Sequence, residues 1–200
     1  MFRTLGAQLR KPSGFFGKMV SKMMDTRNRK YYEKMITELD VKKDEKLYEI
    51  GYGPGLGIRM IMNSGVACTI DGIDFSDLMY HTATKRNLKF INRGTVNLKY
   101  GNLLTADINY KAYDKVFCLN VIYFWDDLNI MFKKIHAMLK DGGIYYVFMD
   151  HEKKLNKLKF AQNFCKYTIE EVESALRKAG FGSIEYKMYY GYYIKAKKDF

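Results

Sequence analysis

From Lys46 onwards, short apolar runs alternate with stretches in which apolar positions recur every three or four residues, the patterning of strands laid against helices. Seven strands are predicted: Lys46–Ile50, Cys68–Asp74, Val96–Tyr100, Tyr113–Leu119, Gly143–Asp150, Ile184–Met188 and Tyr192–Lys197. Helices are predicted in the links between the first six. Ser76 is placed to cap one running towards Asn92. Thr168 and Glu171 form a capping box ahead of Val172, Ala175, Leu176 and Ala179, with Gly180 as the stop. Leu128, Met131, Phe132, Ile135 and Leu139 mark a crossover helix into the fifth strand. The link of Tyr189, Tyr190 and Gly191 is too short for a crossover, so the last two strands form a hairpin. The fold class expected is α/β: a seven-stranded sheet, mostly parallel, ending in an antiparallel C-terminal hairpin.

Ahead of the sheet, Phe15, Phe16, Met19, Val20, Met23 and Met24 recur at helical spacing with Lys18 and Lys22 opposite them, an amphipathic helix with a basic back. A second helix follows from Arg27 to Leu39, with Tyr31, Tyr32, Met35, Ile36 and Leu39 on its apolar side. Two readings stand for the first helix: a packed cap, or a membrane-surface or substrate-channel element. On the prior of roughly 150 residues per domain, the expected organisation is one domain over residues 1–200, with a helical cap or lid over 1–40 and a core over 45–200. Phe15 and Phe16 are candidate substrate contacts within that lid.

Composition narrows the class. The 200 residues are 48% hydrophobic and 28% charged, with 16 Gly and 2 Pro, which excludes disordered and collagenous chains. Lys and Arg total 34 against 22 Asp and Glu, a net charge of +12, so an anionic partner is electrostatically easy. The basic residues are spread in pairs such as Lys42 with Lys43 and Lys197 with Lys198, which reads as solvated surface and argues against a dedicated nucleic-acid groove. Cys68, Cys118 and Cys165 lie far apart, without the spacing of a disulfide framework or a zinc site. A reducing, cytoplasmic location is expected, with no metal and no membrane-spanning segment.

The informative stretch runs from Leu47 to Gly57: a strand carrying Glu49 near its end, then Gly51, Tyr52, Gly53, Pro54, Gly55 and Leu56. A dinucleotide fingerprint needs glycine at first, third and sixth positions, and no starting glycine here satisfies it. A phosphate-binding P-loop needs Gly-Lys-Ser/Thr at its end, and no Lys follows these glycines within the turn. Glycines without Cβ let main chain approach a ligand closely, and the Glu49 carboxylate at a strand end suits a ligand's ammonium. A simple tight connection is the other reading.

Glu49, Gly51, Gly53 and Gly55 together resemble the first motif of the class I S-adenosylmethionine-dependent methyltransferases, whose sheet is Rossmann-like. Further positions fall in that family's order at the carboxyl ends of successive strands. Asp74 follows Glu49 at close to the roughly 20-residue spacing of an acidic residue that accepts from ribose hydroxyls, and its other reading is a cap for the next helix. Phe75 is placed beside the adenine. Asn102, with Leu103 after it, stands where the family usually carries an aspartate that meets the adenine amino group; its amide oxygen still accepts, without charge. Asn120 and Val121 match the fourth motif, lining the methionine end. The Asn-Pro-Pro-Tyr signature of base-methylating enzymes is absent here. Gly142 and Gly143 resemble the family's loop into strand five, ending the helix and reversing the chain.

The resemblance implies S-adenosyl-L-methionine as cofactor and in-line methyl transfer to a small-molecule acceptor. Two alternatives stay open: an RNA or protein methyltransferase, on the charge, and a non-catalytic cofactor-binding protein attached to a membrane or partner through its basic helix. Tyr123 and His151 are candidate general bases by topology, with a substrate wall and a capping residue as their respective other readings. Tyr52, Tyr123, Phe124 and Trp125 are expected to form an aromatic wall near the methyl group, and equally fit an ordinary core.

Overall fold

The computed structural model describes residues 2–199, with the side chains of 5–199. Helices α1 (Phe2–Arg10) and α2 (Gly14–Leu39) precede β1 (Lys46–Ile50), α3 (Leu56–Asn63), β2 (Thr69–Asp74), α4 (Asp77–Ile91), β3 (Val96–Tyr100) and β4 (Tyr113–Leu119). There follow α5 (Leu128–Met138), β5 (Leu139–Met149), α6 (Glu152–Asn156), α7 (Ile169–Lys178), β6 (Phe181–Met188) and β7 (Tyr192–Lys198). The sheet order is β3-β2-β1-β4-β5-β7-β6. Neighbours among the first five strands are parallel, and β7 is antiparallel to both β5 and β6. The expected seven-stranded, Rossmann-like sheet with its antiparallel hairpin is therefore the fold.

Both faces of the sheet are covered, as a parallel sheet requires. Strand β4 shows how: Val116 and Cys118 pack with Phe132, Ile135, Tyr145 and Leu176, while Phe117 and Leu119 pack with Tyr31, Met35, Ile58 and Phe148, the alternation of a strand buried on both sides. Capping follows the sequence closely. Ser76 Oγ accepts the Met79 N–H at 3.4 Å, and Thr168 and Glu171 close a complete capping box.

Four expectations need correction. The link from β3 to β4 holds no helix; its backbone is satisfied by turn bonds from the Thr105 and Ala106 N–H groups to the Asn102 carbonyl and by side chains, with Asn102 Oδ1 accepting the Leu104 N–H at 3.0 Å and Lys134 Nζ donating to the Leu104 and Ala106 carbonyls at 2.9 and 2.6 Å. Gly142 and Gly143 lie inside the first, bulged part of β5, where pairing with β4 jumps from Tyr113↔Leu139 to Lys115↔Ile144. Helix α2 is one continuous helix through Asp25 and Thr26. The Arg86 guanidinium forks onto the Asp25 carboxylate, and Thr26 Oγ1 bonds back to the Lys22 carbonyl at 3.3 Å.

Helix α2 also buries a different face from the one expected. Its first half buries Gly17, Val20 and Ser21, whereas Phe15, Phe16, Met19 and Met23 are 81%, 42%, 58% and 42% exposed. Close approach decides this: a Cβ on Gly17 would stand 2.8 Å from Leu78 Cδ2 and 2.9 Å from the Pro12 carbonyl carbon. Only small residues fit there, so the bulky ones turn outward.

Candidate active site

The carboxyl ends of the parallel strands carry a cleft, with residues 9–12 and α2 lying over it. At its centre the chain leaves β1 through Gly51, Gly53 and Gly55, at φ of +66°, +52° and +77°, backbone that side chains with a Cβ rarely adopt. The three glycines differ in what they face. A Cβ at Gly51 would lie 2.6 Å from Val121 Cγ2, and one at Gly55 2.6 Å from Asn87 Nδ2. At Gly53 it would meet only Met24 Cε, at 3.6 Å, and would project into the cleft that Gly53 lines.

Asp74, at the end of β2, tethers this loop. Its Oδ2 accepts the Gly53 N–H at 2.8 Å and its Oδ1 the Ser76 N–H at 2.9 Å. Burial pushes the carboxyl up to about 6, the two amide bonds offsetting part of the shift. Ser76, not Asp74, caps α4; its hydroxyl also donates to the Pro12 carbonyl at 2.7 Å, pinning the turn between α1 and α2 over the cleft.

Glu49 lies beneath the loop, fully buried, and does not reach the cleft wall. Tyr32 of α2 donates to its Oε1 at 2.7 Å, and its Oε2 has no hydrogen-bond partner among the described residues. Desolvation drives its pKa up to about 8, against the lowering effect of the Tyr32 hydrogen bond.

The cleft has two adjoining compartments that share Gly51, Asp74, Phe75 and Val121. The smaller encloses about 550 Å³ of space including its opening and holds Asn102, Leu103 and Trp125. The larger, about 840 Å³ including its opening, holds Asn120, Tyr123 and Asp150 among apolar side chains such as Met24, Leu158, Phe160 and Phe164.

Around Asn120 the structure stores strain and then repays it. This non-glycine residue sits at φ +59°, a conformation that costs of order 1–3 kcal/mol. It is held by its N–H on the Phe148 carbonyl at 3.0 Å, its amide donating to Asn28 Oδ1 at 3.2 Å, and its Oδ1 accepting the Tyr123 hydroxyl at 3.2 Å. The Tyr123 oxygen in turn accepts the Asp150 N–H. The buried Asp150 carboxylate pairs with Lys154 and, at 3.6 Å, with Arg27.

The structure brings Gly51, Gly53, Asp74, Phe75, Asn102, Leu103, Asn120, Val121, Tyr123 and Trp125 to one cleft; several other candidates stand elsewhere. The Tyr52 ring is turned into the core, its hydroxyl donating to the Lys99 carbonyl at 2.9 Å. Trp125 packs edge-on to Phe132 at 6.1 Å, in the smaller compartment. The aromatic wall is instead Tyr123 stacked with Phe164 at 6.1 Å, with Phe124 edge-on to Phe164 at 5.0 Å. His151 is the N-cap of α6, accepting the Lys153 N–H at 3.1 Å and stacking on Tyr192, outside both compartments. Phe15 and Phe16 line neither compartment. Sequence reading missed Asp150, Arg27, Asn28 and Tyr32. The strand-end rule that selected Asp74 also points to Asp150, one residue before His151.

Tyr123 is fully buried, and desolvation with the Asp150 charge raises its phenol far above the ordinary value, so it stays protonated. Tyr123→Phe leaves the Asp150 N–H without a partner, and is expected to cost about 1–3 kcal/mol in urea denaturation. His151→Ala removes only a cap and is expected to cost roughly 1 kcal/mol or less.

The fold and the glycine-turn cleft together define a class I methyltransferase domain. A family model described as a methyltransferase domain matches residues 48–145, and the resemblance to the class I S-adenosylmethionine-dependent methyltransferases read from the motifs points the same way. The chain is 27% identical over 121 residues to the uncharacterized methyltransferase YdaC of Bacillus subtilis, covering 60% of this chain and 65% of that one. It spans less than two thirds of the curated relatives it matches. Among solved structures, a Methanococcus maripaludis protein described as an S-adenosylmethionine-dependent methyltransferase superposes at TM-score 0.71, with 19% identity over 94% of this chain and 96% of that one. Phosphoethanolamine N-methyltransferase 2 of Haemonchus contortus, bound to S-adenosyl-L-methionine, superposes at 0.74, with 17% identity over 86% of this chain and 53% of that one. No helix among the described residues is long and apolar enough to cross a membrane.

Proposed function

We propose that the chain transfers a methyl group from S-adenosyl-L-methionine to a small, largely apolar acceptor in the larger compartment. The observation that carries this reading is the continuity of the two compartments through Gly51, Asp74, Phe75 and Val121. The residues present fit the cofactor. Gly53 offers main chain with open space in front of it, and the Asp74 carboxylate, already fixed by two amides, has lone pairs left for ribose hydroxyls. Asn102 and Leu103, with Phe75, would hold the adenine, and Asn120 and Val121 the methionine end; Glu49 would act from beneath the loop.

When bound, the cofactor supplies a methyl group on a cationic sulfonium. The protein's part is to bind, align and exclude water. Tyr123, kept protonated, fixes Asn120 through its hydroxyl and presents its ring to the acceptor. Asp150, balanced by Arg27 and Lys154, would be the carboxylate that holds an acceptor hydroxyl or amine, whereas the sequence offered His151 as a candidate general base.

The apolar lining favours a small molecule over RNA or protein. With a panel of apolar phenols and amines, initial rates are expected to change by less than about twofold between 50 and 500 mM salt, whereas a polyanionic substrate loses orders of magnitude over such a range. Turnover confined to RNA, with a steep salt dependence, would overturn the reading.

A further inference from the structure

The apolar face that α2 leaves uncovered has a chemistry of its own, and we infer that it seats the protein on an anionic lipid surface. This goes beyond the proposed methyl transfer and does not depend on it. Phe15, Phe16, Met19 and Met23 project from the first half of α2 into solvent, along roughly 12 Å of helix axis at 1.5 Å per residue. They form a convex ridge rather than a groove, the shape that inserts between headgroups and not one that cradles a peptide.

Charge selects the occupant. Lys11, Lys18 and Lys22 are exposed around the ridge, and none pairs with a carboxylate among the described residues. From the start of the sequence to Met24 there are basic residues and no Asp or Glu. The first carboxylate, Asp25, is held by Arg86. A second copy of the same face would set these lysines against their equivalents, a like-charge contact that disfavours self-association. An anionic bilayer accepts both the ridge and its basic flanks.

The position is also apt. Met23 belongs both to the exposed ridge and to the wall of the larger compartment, so the opening lies beside the inserted residues. An acceptor dissolved in the bilayer would have a short path to Tyr123 and Asp150.

The test is co-sedimentation of the full chain with phosphatidylcholine vesicles, with and without phosphatidylglycerol, at low and high salt. Wild type is expected to pellet with the anionic vesicles and to be released by salt. A variant carrying Phe15→Ser, Phe16→Ser and Met19→Ser is expected to partition roughly tenfold less or weaker still, as is one carrying Lys11→Glu, Lys18→Glu and Lys22→Glu. All six side chains are exposed, so thermal melting of both variants should match wild type and separate lost docking from lost folding. The inference falls if wild type stays in the supernatant, or if the serine variant pellets as well as wild type. It falls equally if light scattering finds a wild-type dimer that the serine variant dissociates, which would give the face to a second copy.

Discussion

Asp74→Ala is expected to weaken S-adenosyl-L-methionine binding by about 100-fold or more and to lower stability by about 2–4 kcal/mol. The carboxylate accepts the N–H groups of Gly53 and Ser76 in a buried setting, and each buried donor left unmade costs about 1–3 kcal/mol. The loss at Gly53 frees the turn that faces the cleft, and the loss at Ser76 loosens the residue that caps α4 and pins the Pro12 turn. Asp74→Asn retains one acceptor oxygen and should fall between the two. Calorimetric titration and urea denaturation read the two effects separately; an alanine variant that binds as wild type would remove Asp74 from the site.

The second large effect is a pH dependence of stability set by Glu49. Its carboxyl is raised in the folded protein from 4.5 to about 8, so between those values the folded state holds a proton that the unfolded chain has released. The associated stability is complete below pH 4.5 and is lost as pH rises through about 8. At about 1.36 kcal/mol per pH unit the shift corresponds to roughly 5 kcal/mol at most. Asp74, raised from 3.8 to about 6, acts with the same sign at lower pH. Glu49→Gln keeps the neutral form at every pH and should flatten the loss between about pH 4.5 and 8. Parallel pH curves for wild type and variant in urea denaturation would contradict the assignment.

Glu49 also shows where sequence reading stops. The strand, the glycine turn and the acidic residue before it were legible, because alternation and glycine spacing are local. That a tyrosine from α2 would seal the carboxylate from below was not, since it depends on how closely the helix approaches Gly57, where a Cβ would stand 2.4 Å from the Tyr32 ring. The same limit explains α2 itself. Periodicity located its apolar residues, but the buried face was chosen by the small side chains of Gly17 and Ser21, and the continuity through Asp25 by an arginine from α4. At the end of β5 the strand-end rule held but the residue was off by one: Asp150 faces the cleft and His151 turns to cap α6. The Ser76 cap, the Thr168–Glu171 capping box, the crossover helix before β5 and the C-terminal hairpin were legible because each is fixed by residues a few positions apart.

Methyl transfer at this site requires the main chain at Gly53 to lie open to a bound adenosyl compound. The direct measurement is calorimetric titration of S-adenosyl-L-methionine into wild type, Gly53→Val and Gly65→Val. Both glycines have positive φ and no backbone or core atom crowding a Cβ, but only Gly53 faces the cleft, so Gly65→Val carries the backbone strain without the obstruction. Saturable binding is predicted for wild type and Gly65→Val, and a loss of about 100-fold or more for Gly53→Val. Equal heats in all three proteins, or none in wild type, would contradict it.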